Sequence, residues 1–183
     1  MKQRLFDIVI IGAGVIGHSI AFRLKQCRPD ISLAVLGDPM NSLMASRAAA
    51  GMLAPFGECD EADRFFKFCR ESLLQYPDFI EDLICTSGVP VHLSMKGSLI
   101  PSLSFANGWE KQIRFFREEN VPHQIWSPER CRQLAPVLAE SCGEVIWVGE
   151  GQVNNREMHD ALVTASRKLG VEIFEKNVTG FTR

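Results

Sequence analysis

Apolar residues run almost without a break from Phe6 to Ile11, interrupted only by Asp7, and stop at Gly12-Ala13-Gly14-Val15-Ile16-Gly17. A short apolar run bounded by glycines predicts a buried strand from Ile8 to Ile11, of the continuous kind expected in a parallel sheet covered on both faces. The period then changes. Ile16, Ile20 and Leu24 recur at helical spacing, and Gly17 and Ala21 give the same helix a small-residue side for close contact with the sheet. Ile31 to Leu36 supplies a second apolar strand, which closes a βαβ unit of about thirty residues.

Further along, Asp60 can cap a helix whose apolar stripe is Ala62, Phe65, Phe66, Cys69, Leu73 and Tyr76, with Pro77 bending or ending it. Short strand-like pieces follow at Val91 to Leu93 and Gly97 to Pro101, then a helix with Trp109, Ile113 and Phe116 on one side. Ser127-Pro128 reads as a cap with proline at the first helical position, and that helix ends near Pro136. After an apolar strand at Val145 to Val148, Asn154 precedes Glu157 by three residues, a start resembling a capping box. Met158, Ala161, Leu162, Ala165 and Leu169 mark the buried face of the helix that follows, and Gly170 ends it. Val171 to Phe174 and Val178 to Phe181 are expected to be extended.

The strand, Gly-x-Gly-x-x-Gly turn and helix together form a dinucleotide-binding fingerprint. Gly12 permits the tight turn, Gly14 lets backbone approach a pyrophosphate, and Gly17 lets helix and strand pack closely, with the phosphates at the positive helix end. An acidic residue is expected about twenty residues past the last glycine, to hold a ribose hydroxyl. Gly37 stands there, followed by Asp38, which either reaches the ribose from one position on or opens the turn Gly37-Asp38-Pro39. No adjacent arginine favours NADP.

A chain of 183 residues buries about 70% of its unfolded surface, enough for a real core. The net charge of −2 leaves no basic stripe for nucleic acid or an anionic membrane. The basic Met1 to Arg4 start mimics a secretory signal, but three glycines break the apolar stretch after it, and no segment is long enough to span a bilayer. Six cysteines (Cys27, Cys59, Cys69, Cys85, Cys131, Cys142) form no Cys-x-x-Cys pair and have no histidine at ligand spacing, which reads as free thiols in a reducing cytoplasm and no metal site. His18, His92, His123 and His159 are scattered singly and read as surface or packing residues rather than bases.

Three segments carry a family resemblance: Asp7 to Gly17, Ser46-Arg47-Ala48-Ala49-Ala50-Gly51-Met52-Leu53-Ala54-Pro55, and Gly151-Gln152-Val153-Asn154 with its helix. They resemble the FAD-dependent amine oxidases of the D-amino-acid oxidase family, and within it the glycine oxidases of thiamine biosynthesis. The second segment discriminates, because the many NAD-binding chains that share the glycine turn lack it. A run of alanines and a glycine lets backbone N–H groups approach a flat ring, and Met52 offers a polarizable apolar surface. Without the resemblance, Ala48 to Leu53 reads as a helix start rich in good helix formers.

The resemblance implies an α/β fold: a Rossmann-like FAD-binding βαβ domain in residues 1–85 and 143–183, with part of an antiparallel-sheet substrate domain inserted at 86–142. It implies that Gly12, Gly14, Val15, Ile16 and Gly17 hold the FAD pyrophosphate and that Gly37 and Asp38 face the ribose, where the family usually places a glutamate. Ala45, Ser46 and Arg47 would lie along the pyrophosphate and ribityl chain, Ala50, Gly51 and Met52 against the isoalloxazine ring, and Val178 would meet the adenine through its backbone. The implied activity is oxidative deamination of glycine or a related small amino acid with O2, giving an imine or 2-oxo acid, ammonia and hydrogen peroxide. Family proteins are considerably longer, so the chain looks truncated, and the arginine that clamps the substrate carboxylate is expected outside it. The likeness suggests a homo-oligomer at full length. A nicotinamide-dependent dehydrogenase would use the same fingerprint but leaves Arg47 to Pro55 unexplained, and a non-catalytic dinucleotide-binding module is the remaining alternative.

Overall fold

The computed structural model describes residues 4–41, 44–102, 108–138 and 143–180. Contacts divide the chain into two units: residues 1–51, 78–92 and 153–183 form the first, and 52–77 with 93–152 the second.

The first unit is built on a three-stranded parallel sheet, ordered β1 (Ile8–Ile11), β2 (Leu33–Leu36), β9 (Glu172–Phe174). β2 is central and its Leu33, Ala34 and Val35 are fully buried, as a continuous apolar run between two neighbours and two faces requires. β1 departs from expectation. It lies at a sheet edge among the described residues, its residues alternate in burial, and Val9 and Ile11 are 48% and 52% exposed, so only the Ile8 and Ile10 side faces the core.

Helix α1 (Val15–Cys27) joins β1 to β2 and buries Gly17, His18, Ala21, Phe22 and Lys25. The small-residue side is the packed one. Ile16 and Ile20, expected as its apolar stripe, are 75% and 47% exposed. Gly17 explains the choice, since a Cβ there would stand 1.9 Å from the Gly12 carbonyl oxygen, closer than any side chain allows. The Lys25 ammonium folds back onto the carbonyls of Pro29 and Ile31, which secures the connection into β2. Phe79 meets Phe22 edge to face at 5.9 Å, from the later part of α3 (Arg64–Ser87). Helix α6 (Asn155–Lys168) lies against α1 and ends at Gly170, where φ is +79°. Residues 175–180 form no strand, and Phe181 lies outside the described residues.

The second unit holds two small sheets. The first orders β3 (Met52–Leu53), β8 (Gly151–Val153), β4 (Leu93–Ser94), and the second orders β5 (Ser98–Pro101), β7 (Val145–Val148), β6 (His123–Trp126), antiparallel with Ile146 opposite both Ile100 and Ile125. Phe66 and Leu73, from the first part of α3, pack with Phe115 and Phe116 of α4 (Trp109–Glu118) and with Ile146 and Val148. These contacts group 52–77 and 143–152 with the second unit, while 78–92 group with the first. Phe66 and Phe115 stand edge to face at 5.0 Å.

Helix α3 runs through Pro77 and does not end there. Its cap is Asp63, which accepts the Phe66 N–H at 2.7 Å, while Asp60 pairs with Lys111 instead. The short α5 (Pro128–Leu134) starts as expected, with Ser127 accepting the Arg130 N–H. No helix of the described residues is long and apolar enough to cross a membrane.

Candidate functional site

The carboxyl ends of the three parallel strands come together at the glycine turn. Gly12 leaves β1 with φ +114°, a conformation open to glycine, and its N–H donates to the Leu36 carbonyl at 2.8 Å. Gly37 follows β2, donates to the Phe174 carbonyl at 2.9 Å, and approaches so closely that a Cβ on it would lie 2.9 Å from the Ala13 nitrogen. Ligands of open parallel sheets bind outside such carboxyl ends.

Gly14 is the N-cap of α1, with no side-chain cap, and no acidic residue lies in the helix's first turn. Val15 and Ile16 open that turn, so the positive end of a 13-residue helix is free of carboxylate competition. Among the described residues, nothing lies within 4 Å of a Cβ built on Gly12. A helix start with no acid in its first turn, beside the open space at Gly12, fits a pyrophosphate. Asp38 spends one carboxylate oxygen on the Met40 N–H at 2.8 Å, so it shapes its own turn; its other oxygen is the acidic acceptor nearest the expected ribose position in sequence.

The discriminating segment does not continue as a helix. Only Ala45–Ala48 is helical (α2); Ala49 turns extended at ψ 148°, Gly51 takes φ +77°, and Met52 and Leu53 enter β3. A Cβ on Gly51 would stand 2.0 Å from the Val153 carbonyl oxygen, and the Val153 N–H donates to the Gly51 carbonyl at 2.9 Å. Gly51 is therefore demanded by packing as well as conformation. Met52, 64% exposed, belongs to the second unit. Val178, beyond the end of β9, is half-buried.

Helix α6 holds these parts in place. Asn155 donates its side-chain amide to the Ser46 carbonyl at 2.7 Å, and the Ser46 hydroxyl accepts the Val15 N–H at 3.0 Å. Arg47 pairs with Asp160 at 2.7 Å, and its carbonyl accepts from Arg156. Asn154 caps α6 as expected, but only half of the capping box forms, because the Glu157 carboxylate turns to the His92 N–H and ring at 2.8 Å. That backbone contact, then the ring, holds the Glu157 carboxyl below its usual range.

Two of the scattered histidines meet in the core of this unit. His18 and His159 are fully buried with rings edge to face at 5.9 Å. His18 Nδ1 contacts the Ser166 hydroxyl at 3.1 Å, and His159 Nε2 reaches the Ala13 carbonyl at 2.9 Å. Burial, then the neighbouring His159 and Arg167, pushes His18 down to about 4, so it is neutral at physiological pH. The packing reading of these residues stands, yet one of them touches the glycine turn. No spacing rule could have signalled it, because the partners are 146 residues apart.

The second unit carries its own buried polar cluster. Glu150 accepts the Phe56 and Gly57 N–H groups on one oxygen at 2.6 and 2.7 Å, and Gln112 donates to the Phe56 and Cys59 carbonyls at 3.1 and 3.0 Å. Burial pushes the Glu150 carboxyl up, against the pull of Gly57, Phe56 and Ser98. The same loop borders a groove of about 290 Å³, whose lining includes Leu53, Pro55, Cys59, Phe65, Cys69 and Tyr76. Cys27, Cys59, Cys69, Cys85 and Cys131 are free thiols; Cys142 lies outside the described residues, among which no cluster of three metal-ligating side chains forms.

The sequence model of the family described as DAO, FAD dependent oxidoreductase, matches residues 7–183. Glycine oxidase of Bacillus subtilis is 31% identical over 175 residues, covering 94% of this chain and 46% of that protein. The bifunctional protein ThiO/ThiG of Synechocystis sp. is 31% identical over 175 residues, covering 94% of this chain and 25% of that one. Among solved structures, glycine oxidase from Geobacillus kaustophilus superposes with a TM-score of 0.84 at 27% identity, over 93% of this chain and 46% of that one. The chain spans less than half the length of these relatives.

Proposed function

The chain belongs to the FAD dependent oxidoreductase (DAO) family, and from that premise we propose that it serves the oxidative deamination of glycine or a related small amino acid, in thiamine biosynthesis. FAD, the cofactor of the family, would supply the electron sink for hydride removal from the substrate α-carbon, with O2 as the final two-electron acceptor, reduced to hydrogen peroxide. The substrate is left as an imine, which water converts to a 2-oxo acid and ammonia. The observation that carries the reading is the start of α1, with no acidic residue in its first turn, beside the open space at Gly12.

Each residue has a part. Gly12 and Gly14 would admit the pyrophosphate close to backbone, Gly17 lets the helix start pack against Gly12, and Val15 and Ile16 would bring the helix's positive end to the phosphates. Asp38 offers its second oxygen to the ribose beside Gly37, and the Val178 backbone meets the adenine. Ala45, Ser46 and Arg47 lie along the pyrophosphate and ribityl chain; Arg47 is charge-balanced by Asp160, so it positions more than it neutralises. Ala50, Gly51 and Met52 take the ring side, Met52 with an exposed thioether. The relatives named glycine oxidase, in sequence and in structure, support glycine over larger substrates.

The test is the visible spectrum of the purified protein, the mass of any ligand released on denaturation, and peroxide release with glycine, sarcosine and D-alanine. Flavin bands with released FAD are expected, and peroxide with glycine. Released NAD, or a flavin-loaded protein inert toward all three amines, would overturn the reading.

A further inference from the structure

We propose that His159 is a positioning residue for the dinucleotide, acting by fixing the peptide that joins Ala13 to Gly14. The proposal rests on FAD binding at the glycine turn, the reading given above. The Ala13 carbonyl and the Gly14 N–H belong to one planar trans peptide and point in opposite directions, so a partner that holds the carbonyl also aims the N–H. His159 Nε2 is that partner, at 2.9 Å.

The turn needs such a partner. Glycine stands on both sides of Ala13, Gly12 already occupies φ +114°, and glycine lets a peptide plane rotate at little steric cost. Ala13 offers only a methyl group to hold itself. The carbonyl can only accept, so His159 donates from Nε2, which leaves Nδ1 as its other ring nitrogen. That Nδ1 is buried with no partner among the described residues. A side chain wanted for packing alone would be phenylalanine or leucine, without an unsatisfied nitrogen in the core; the one thing the imidazole adds is an N–H aimed at the turn. Its neighbours keep the ring in place: His18, edge to face against it and tied to Ser166, and the α6 backbone on which Asp160 and Asn155 hold Arg47 and Ser46.

The experiment is a titration of the flavin-free protein with FAD, followed by flavin fluorescence, for the wild type and for H159F, H159Q and M158A. H159F keeps a ring and removes the donor, and it is expected to weaken FAD binding by about tenfold, the worth of one such hydrogen bond. H159Q retains an N–H at similar reach and is expected to stay within about threefold of the wild type. M158A opens a cavity beside the site, because Met158 is 4% exposed, and is expected to lower the melting temperature while leaving the FAD affinity unchanged. Should H159F not fold, H159N, too short to reach the carbonyl, is expected to lose affinity as H159F would. Wild-type affinity in H159F or H159N, or equal losses in H159Q and H159F, would overturn the proposal and leave the FAD reading intact. A wild type that takes up no FAD overturns both.

Discussion

Asn155 donates its side-chain amide to the main-chain oxygen of Ser46 at 2.7 Å, joining segments 109 residues apart. Ser46 passes the constraint on, since its hydroxyl accepts the N–H of Val15 in the first turn of α1. Asn155→Ala removes the donor and is expected to cost about 1 kcal/mol in urea denaturation and to lower the FAD content of the purified protein. Asn155→Asp sets a carboxylate against a carbonyl and is expected to cost more than the alanine. Equal stability of all three proteins would show that this link does not hold α2.

The glycines differ in why they are glycine, and alanine scanning separates the reasons. A Cβ on Gly17 would lie 1.9 Å from the Gly12 carbonyl oxygen, and one on Gly51, at φ +77°, would lie 2.0 Å from the Val153 carbonyl oxygen. Both neighbours are backbone and cannot swing away. Gly17→Ala and Gly51→Ala are therefore expected to lose about 4 kcal/mol or more, or to fail to fold. Gly170 has φ +79° and nothing within 4 Å, so Gly170→Ala carries only the conformational cost, about 1–2 kcal/mol. Denaturation midpoints in that order check the distinction, and similar losses at all three positions would refute it.

The βαβ unit was legible because its signals are local: an apolar run, three glycines, a change of period, a second run. What was not legible depends on what each element faces. Ile16 and Ile20 carry a helical period, yet the helix turns Gly17 and Ala21 inward, because only a side without bulk fits as near as Gly17 stands to Gly12. The carboxylate at 38 could be read two ways, and the geometry puts one of its oxygens on the Met40 N–H. His159, Asn155 and Glu150 gave no pattern at all, since their partners lie 146, 109 and 94 residues away. Pro77 was a fair candidate to end α3, but the helix packs apolar residues before and after it, and packing outweighed one lost hydrogen bond.

His18 predicts an acid limit for the first unit. Its folded value of about 4 lies below the ordinary 6.5, so the unfolded chain binds the proton first and stability rises with pH across that interval. The contribution is fully present above pH 6.5 and is lost as pH falls from there toward 4, on the order of 3 kcal/mol in all. His18→Phe is expected to flatten that part of the profile in thermal melts recorded at successive pH values. A wild-type slope that survives the substitution would assign the acid sensitivity elsewhere.

Glu150 works in the opposite sense. Burial raises its carboxyl above 4.5, so the folded protein holds the proton longer than the unfolded chain. Its stability contribution is present below pH 4.5 and declines as pH rises through the raised folded value. Glu150→Gln keeps a carbonyl for the Phe56 and Gly57 N–H groups and never ionises, so its stability relative to the wild type is expected to improve as pH rises from 4 to 8. Glu150→Ala leaves the buried Phe56 N–H and the half-buried Gly57 N–H without their acceptor, and an expected loss of about 2–3 kcal/mol follows at every pH. If alanine and glutamine behaved alike, the carboxylate would not be what pins the loop after β3, and the anchor would be Gln112 through the Phe56 and Cys59 carbonyls.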